Sequence, residues 1–417
     1  MQDLRQSNVD WLGKIPQEWD MRKLKHLVSI SKRIAGKEGL DVLSVTQRGI
    51  RIKDIESNEG QLAANYSGYQ LVYPGDFIMN QMDLVTGWVD RATQRGVTSP
   101  DYRVFSIVSN RVSADFLRYV MQCCYMNRVF FGRGHGVSDK GRWRLATRAF
   151  LNFEVPIPPT EEQEAIVAHL DQKIYEWDNL EQVIRAQIDA LEAYKRSLIL
   201  ETVTKGLHPN PELVASKIDW IGDIPAHWSL RRLGTLFRVR NERVSASSFE
   251  PLSVTKNGIL PQLEHVAKTD YIDNRKLVRA GDFVINSRSD RRGSCGISPQ
   301  DGSVSLINTV LASRDLSEVS PYFGWLLHSE AFSDEFYRWG HGIVADLWTT
   351  NWDDMRRIVV PLPPAEEQDE INDFLKSRTE NLDSTIRAKH RQLELLDSYK
   401  QSLIYESVTG KKEVPVR

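Results

Sequence analysis

The segment with the clearest potential for chemistry is a glycine-rich basic stretch, GRGHGVSDKGRWR, at residues 132–144. Its Arg and Lys side chains could neutralise phosphates or donate to guanine edges, and glycine lets a backbone approach another surface closely. A second Gly-His-Gly lies in WGHGIVADLWTTNW at 339–352, which is aromatic and polar but hardly basic. A tight turn that carries solvated charge also explains any single residue of these stretches.

Recognisable catalytic motifs are missing from the sequence. It contains neither a Walker A loop nor GxGxxG, HExxH or GxSxG, and the Asn-Pro-Pro-Tyr/Phe tetrapeptide of aminomethyltransferases is also absent. His135 and His341 each stand alone, so we expect neither to bind a metal. The three cysteines lack metal-site spacing and are expected to be core thiols. With no signal peptide and no long apolar run, the sequence predicts a cytoplasmic protein with no membrane contact.

The chain of 417 residues contains an internal repeat. WLGKIPQEW at 11–19 recurs as WIGDIPAHW at 220–228, and LSVTQRGI at 43–50 recurs as LSVTKNGI at 252–259. Further pairs follow in the same order: LVYPGDFIMN with LVRAGDFVIN, VPIPPTEEQ with VPLPPAEEQ, and YKRSLILETVT with YKQSLIYESVT. A period of about 205 residues is too long for a solenoid and indicates duplicated domains. The intervening segments 81–133 and 287–339 differ, which fits either drift or two different binding specificities.

Each copy is predicted to be a mixed α+β globular domain followed by one long helix. Short apolar runs bounded by Gly, Pro and Asp are typical of strands, and stretches at about 113–130 and 320–338 are typical of helices. We therefore divide the chain into a first domain (1–159), a long helix (160–206), a linker (207–219), a second domain (220–364), a second long helix (365–410) and a tail (411–417).

Both predicted long helices carry an apolar stripe in steps of three and four residues, which is typical of a coiled-coil seam. The first follows Pro158-Pro159, has Thr160 and Gln163 in the positions of a capping box, and is followed by Gly206 as a C-terminal cap. We expect the two helices to pair with each other. Packing of each helix on its own domain is the alternative.

The net charge of −2 conceals an uneven distribution of charged residues. Residues 103–148 contain nine Lys and Arg against two acids, and residues 230–292 contain thirteen against seven. The helix segments 160–201 and 364–406 contain ten acids each, against four and six bases. Basic globular domains fit phosphate binding, whereas acidic helices would repel a nucleic acid and suit a protein partner.

This arrangement resembles the specificity subunit of type I restriction-modification systems. The residues that carry the resemblance are IPQEW and IPAHW, the two LSVT segments, PGDF and AGDF, VPIPPTEEQ and VPLPPAEEQ, and the two YK-S-LI helix ends. The resemblance covers essentially the whole chain. It departs from the pattern where Ala365 stands in place of the threonine that begins the first helix.

The resemblance implies a non-catalytic DNA-recognition subunit that acts in phage defence. Each globular domain would be a target recognition domain that reads one half of an asymmetric bipartite site in double-stranded DNA. The helices would form an antiparallel coiled coil that sets the spacer and docks two methyltransferase (modification) subunits, which restriction (endonuclease/translocase) subunits then join. S-adenosylmethionine, ATP and Mg would belong to those partners, and this chain would hold no cofactor and no metal.

Candidate DNA-binding residues follow from the charge and from the repeat. For contacts with the DNA backbone we select basic residues near the shared segments: Arg22, Lys23, Arg48, Arg51, Arg231, Arg232 and Lys256. For reading bases we select residues of divergent or loop segments: Arg91, Arg95, Arg133, His135, Lys140, Arg142, Arg144, Arg288, Arg291, Arg292, Thr349 and Asn351.

Three other functions remain open. One is a coiled-coil scaffold whose globular domains bind proteins, against which the basic bias of those domains argues. Another is a nuclease or methyltransferase in its own right. The third is the specificity subunit of a related system that has a fused modification-cleavage partner.

Overall fold

The computed structural model describes residues 3–56, 63–136, 143–262, 274–288, 291–315, 320–342 and 348–415. The chain divides into two compact units, Met1–Ile184 with Arg391–Arg417, and Arg185–His390. Each unit therefore combines one globular domain with a segment of each long helix. The boundary between the units falls inside both helices.

The two long helices lie where the apolar stripe predicts them, at Thr160–Lys205 and Ala365–Val408. Each is followed within two residues by a glycine in the left-handed region, Gly206 at φ +74° and Gly410 at φ +68°. Glycine ends a helix in this conformation without strain. In the described part of the chain, no helix has the length and apolarity needed to cross a membrane.

The first unit is built on a four-stranded antiparallel sheet. Its strands lie in the order Val28–Ser31, Arg103–Ile107, Phe77–Met79 and Val89–Arg91. Four antiparallel pairs accompany it: Leu4–Gln6 with Lys14–Pro16, Asp20–Lys23 with Glu154–Ile157, Leu43–Thr46 with Gly49–Ile52, and Gln70–Val72 with Gly96–Thr98. The helices are Ala114–Met126 and Thr147–Leu151, with 3₁₀ turns at Leu24–His26 and Phe131–Arg133.

The second unit repeats this design. Its four-stranded sheet has the order Phe237–Val239, Asn308–Ser313, Phe283–Asn286 and Cys295–Ile297. The other antiparallel pairings are Leu213–Ala215 with Asp223–Pro225, Ser229–Arg232 with Val359–Leu362, Leu252–Thr255 with Gly258–Pro261, and Arg275–Val278 with both Arg243–Val244 and Gly302–Val304. Its short helices are Leu233–Leu236, Tyr322–His328, Glu330–Arg338 and Trp352–Met355. The duplication in sequence is therefore a duplication of fold, and the predicted mixture of helices and strands with two long helices is confirmed.

Each unit has one main hydrophobic core to which both long helices contribute. In the first unit, Ile166 and Leu170 from the start of the first long helix pack in the same core as Leu403 and Val408 from the end of the second. In the second unit, Val203 near the end of the first helix packs with residues of the start of the second, including Ile371 and Leu375. Because burial of apolar side chains is the main stabilising term, each globular domain depends on both helices.

The helix predicted over about 320–338 is instead two helices that meet at Ser329. Its backbone is extended, at φ −63° and ψ 149°, and its hydroxyl accepts a hydrogen bond from Phe332 N at 3.2 Å. Serine in this conformation is a helix N-cap, so the local hydrogen bond restarts the helix. The segment 207–219, predicted as a linker, also contains the strand Leu213–Ala215. All three residues of this strand are exposed, so no apolar alternation marks it in the sequence.

The glutamine of each Glu-Glu-Gln motif is bonded to its domain, and the predicted capping box is wrong. Gln163 is 1% exposed, and its Nε2 donates to the carbonyls of Arg111 and Pro158, each at 2.9 Å. Its Oε1 accepts from Ser113 N at 2.8 Å. Gln368 makes equivalent bonds in the second unit, accepting from Ser320 N at 3.3 Å and donating to Pro363 O at 3.0 Å. The motif therefore ties the start of a long helix to the loop before a domain helix.

We expect Gln163→Ala to lower the free energy of unfolding by about 1–3 kcal/mol, because it leaves a buried N–H and two carbonyls without their partner. Urea denaturation of the full chain measures this. Gln172→Ala is the control, because Gln172 is an exposed residue of the same helix whose amide donates to Glu176 Oε1 at 3.1 Å. Equal effects of the two substitutions would contradict the role given to Gln163.

Candidate DNA interface

A tryptophan from each WxGxIPxxW segment bonds to a glutamate at the start of a long helix. Trp19 Nε1 donates to Glu162 Oε2 at 2.9 Å in the first unit, and Trp228 Nε1 donates to Glu367 Oε2 at 2.9 Å in the second. Both indoles are buried. These bonds connect two repeated segments that are distant in sequence, and they fix the domain that carries the candidate residues to the helix.

The aspartate of each Gly-Asp-Phe turn pairs with an arginine that lies one or two residues after the first strand of the four-stranded sheet. Asp76 pairs with Arg33, and Asp282 accepts from Arg240 at 2.7 and 3.0 Å. Both aspartates are almost fully buried and also accept a backbone N–H within their own turn at 2.8 Å. The strands that follow these turns lead into the divergent segments 81–133 and 287–339. The buried Asp–Arg pairs therefore position the residues where each divergent segment begins.

In the first unit, the Gly-His-Gly segment forms one side of a short antiparallel ladder. His135 and Arg144 exchange two backbone hydrogen bonds of 3.0 Å each. The Trp143 indole donates to Phe131 O at 2.7 Å and stacks on the Phe131 ring at 5.2 Å between centroids. Gly134 lies beneath this indole, and an added Cβ would come within 2.5 Å of it. We call residues 131–136 with 143–145 the first GHG stem.

The second unit has the same construction, which we call the second GHG stem, residues 337–342 with 348–350. His341 and Thr349 exchange backbone hydrogen bonds of 2.9 and 3.0 Å. The Trp348 indole donates to Tyr337 O at 2.9 Å and stacks on the Tyr337 ring at 5.9 Å. Gly340 again has no room for a Cβ beside the indole. In both stems the glycine before histidine therefore makes room for a tryptophan, which sequence reasoning missed.

Three backbone-contact candidates lie on equivalent hairpins. Arg48 occupies the turn between Leu43–Thr46 and Gly49–Ile52, where its N–H donates to the Thr46 hydroxyl at 3.1 Å. Arg51 is exposed on the second of these strands. Lys256 occupies the equivalent turn in the second unit and is exposed. In the first unit, Arg48 and Arg51 line the same groove as Arg118.

The other four backbone-contact candidates lie on the strand pair next to each long helix. Arg22 pairs with Asp20 at 2.6 Å, and Lys23 lies 3.9 Å from Glu154. Arg231 and Arg232 are exposed on the equivalent strand of the second unit. Exposed ion pairs of this kind contribute about 0–1 kcal/mol, so a phosphate could compete for either basic side chain.

The base-reading candidates fall into several places rather than one surface. Arg133, His135 and Arg144 are exposed on the first GHG stem, and Thr349 is exposed on the second. In the second unit, Arg288 and Arg292 line the same small cavity.

Several base-reading candidates already have contacts within their own unit. Arg91 pairs with Asp115 at 3.3 Å, Arg95 lies over the Tyr73 ring at 5.7 Å, and Arg292 pairs with Asp334. Asn351 caps the helix Trp352–Met355 by accepting from Asp354 N at 3.1 Å.

Arg291 is exposed, whereas Lys140 and Arg142 lie outside the described residues. The assignment of all these residues to DNA stays a prediction.

Burial removes several charged or reactive side chains from the surface and shifts their pKa values. Arg103, one of the nine bases of 103–148, is 3% exposed, donates to Leu145 O at 3.0 Å and lies over the Phe150 ring. Burial lowers its pKa to about 10, so it remains charged at neutral pH while contributing no basic surface.

Burial raises the pKa of Cys123 and of Cys295 to about 12, as expected for core thiols. The described residues include no cluster of three or more His, Cys, Asp or Glu that could hold a metal ion.

Comparisons with known proteins agree with the architecture. The chain is 23% identical to a putative type I restriction enzyme MjaX specificity subunit of Methanocaldococcus jannaschii, over 97% of this chain and 96% of that protein. It is 20% identical to the type I restriction enzyme MjaVIII specificity subunit of the same organism, over 96% and 94%. The chain is a relative of type I specificity subunits.

A solved structure supports the same fold. A chain from work on complex assembly and conformational transition of the type I R-M system matches with a TM-score of 0.69 at 15% identity, over 95% of this chain and 99% of that chain. No protein-family model matches the sequence. The resemblance drawn from the repeated motifs is thus confirmed.

We expect Gly134→Ala to displace the Trp143 indole and destabilise the first GHG stem, because the new methyl group would overlap the ring. Gly132→Ala is the matched control, since no atom of the described residues lies within 4 Å of a Cβ at Gly132. Thermal unfolding and tryptophan fluorescence of the two variants measure the difference. Identical behaviour of the two variants would show that the stem is not packed as described.

Proposed function

We propose that this chain is the DNA-recognition subunit of a type I restriction-modification system and has no catalytic activity of its own. The observation that carries the proposal is its relationship to two specificity subunits along almost their whole length. The duplicated units add a physical reason, since two copies of one frame suit a target read in two parts. Each globular domain would bind one half of an asymmetric bipartite duplex.

The differences between equivalent stem positions support two distinct half-sites. Arg144 in the first stem corresponds to Thr349 in the second, and both exchange backbone hydrogen bonds with the histidine opposite. Arginine donates to guanine O6 and N7, whereas threonine offers one hydroxyl and a methyl group for contact with thymine. The same backbone arrangement would therefore present different chemistry to the two half-sites.

Contacts within each unit support pairing of the long helices as an antiparallel coiled coil. In the first unit, Lys400 Nζ lies 2.8 Å from Asp178 and the Trp177 and Tyr399 rings are 5.1 Å apart. In the second unit, Lys195 Nζ lies 2.6 Å from Asp383. As residue numbers rise along the first long helix, the numbers of the residues contacted on the second long helix fall. Antiparallel pairing requires this order. Such a pair would act as a ruler for the spacer between half-sites.

The surface of the helices suits a protein partner better than DNA. Besides their acidic residues, they expose large apolar side chains: Tyr175, Leu180, Val183, Tyr194, Leu395 and Tyr399. Large apolar side chains one helical turn apart, such as Leu180 and Val183 or Leu395 and Tyr399, can form a contiguous patch of the kind that marks protein interaction sites. We place the two methyltransferase subunits here. They would supply S-adenosylmethionine, and the restriction subunits that join them would use ATP and Mg.

The proposal is tested by selecting duplexes from a randomised pool with the full chain and then titrating binding with salt. We expect two enriched blocks at a fixed separation and an affinity that falls steeply with salt, because phosphate contacts release counterions. Arg48→Ala should weaken all sequences alike and reduce the salt slope by about 1, whereas Arg144→Ala should relax preference within one block. Salt-insensitive binding without enrichment would favour the protein-binding scaffold instead.

Removing one heptad from both helices, residues 183–189 and 389–395, should shorten the spacer and leave both half-sites unchanged. Seven residues span about 10 Å of helix, which corresponds to about three base pairs, and a heptad keeps the apolar stripe nearly in phase. Duplex selection with the variant measures the spacer. Deletion of 183–189 alone is the control, and it should abolish bipartite binding because it shifts one helix against the other. Altered half-sites in the double deletion would rule out the ruler.

A further inference from the structure

The two GHG stems share their internal contacts and differ in the residues that they expose. Besides the histidine ladder and the indole bond, each stem is joined to the loop that follows the Gly-Asp-Phe strand. Leu145 N donates to Gln81 O at 3.0 Å in the first unit, and Thr350 N donates to Ser287 O at 3.1 Å in the second. All these acceptors are backbone carbonyls, so these bonds do not require particular side chains at the exposed positions.

The tryptophan is the side chain that holds both sides of the stem together. Trp143 and Trp348 each follow residues that lie outside the described part of the chain, 137–142 and 343–347, yet their indoles bond and stack on residues that precede these segments. Gly134 and Gly340 have no Cβ that would displace the ring. The indole therefore fixes the separation of the two chain segments just before and after the stretch that differs between copies.

We propose that Trp143 and Trp348 are positioning residues for base recognition, each acting on one half-site only. The inference rests on the proposed function and deepens it. Each indole ties together the two chain segments that carry the histidine and the residue opposite, Arg144 or Thr349. Discrimination between bases requires donors placed to within tenths of an ångström, whereas phosphate attraction tolerates looser placement. Loss of the indole bond therefore reduces sequence preference more than it reduces total affinity.

The chain offers matched controls. Trp11 stacks on Phe153 at 5.9 Å and Trp220 packs edge-on against Phe332 at 5.8 Å. In the described residues, neither indole N–H has a hydrogen-bond partner. Replacement of these two by phenylalanine removes ring area without removing a hydrogen bond, whereas Trp143→Phe and Trp348→Phe remove both.

The test measures binding of the full-length chain to its selected duplex and to single-base variants of each half. We expect Trp143→Phe to reduce base discrimination about five- to tenfold in one half-site and leave the other unchanged, with Trp348→Phe doing the reverse. Trp11→Phe and Trp220→Phe should leave discrimination in both halves intact. Trp143→Tyr, which restores a polar group to the ring, should recover part of the lost preference.

Two results would overturn the inference while leaving the proposed function standing: unchanged discrimination in Trp143→Phe, or an equal loss of affinity for every sequence. Failure of the wild-type chain to select any bipartite duplex would instead refute the proposed function. If Trp143→Phe does not fold, Gly134→Ala is assayed on the same duplexes, because it displaces the same ring. Retained preference in that variant would equally overturn the inference.

Discussion

The hydrogen bond between a tryptophan indole and a helix-start glutamate is the contact on which each unit depends. A bond to a charged acceptor contributes about 1.5–3 kcal/mol, more than a neutral one, and a buried carboxylate without a donor would be costly. In the second unit, Gly206 lies against both members of the pair, Trp228 and Glu367. In the first, Gly410 lies against Trp19. One helix start and one helix end therefore converge on each tryptophan.

This convergence explains which segments the two copies share. The indole needs a glutamate from one helix and a glycine from the end of the other, and the neighbouring glutamine must reach the loop before a domain helix. A change in any of these segments would require compensation in the other two. The Trp, Glu-Glu-Gln and helix-end segments therefore stay alike, whereas exposed stem positions such as Arg144 and Thr349 meet no such requirement and differ.

The sequence was sufficient to predict the features that repeat or that recur at a regular spacing. The duplication, the α+β class and the bounds of both long helices could be derived from the repeats, from apolar residues in steps of three and four, and from the Pro-Pro and Gly residues that flank each helix. The partners of Glu162 and Gln163 could not, because the residues that meet them lie about 50 to 140 positions away and nothing in the local pattern specifies the pairing. Ser329 illustrates a local miss, since the apolar spacing continues across a cap that breaks the helix.

The candidate interface was harder to predict because charge in a sequence does not reveal burial. Arg103 counts as a basic residue of the first domain yet lies inside it, and Asn351, chosen as a base reader, caps a helix. Both stems are held by bonds to backbone carbonyls and N–H groups, which every residue type except proline supplies. Outward side chains can then change without loss of the frame. Under the proposed function, a duplicated domain built in this way can acquire two specificities from one architecture, since exposed stem positions can be substituted at little cost to stability.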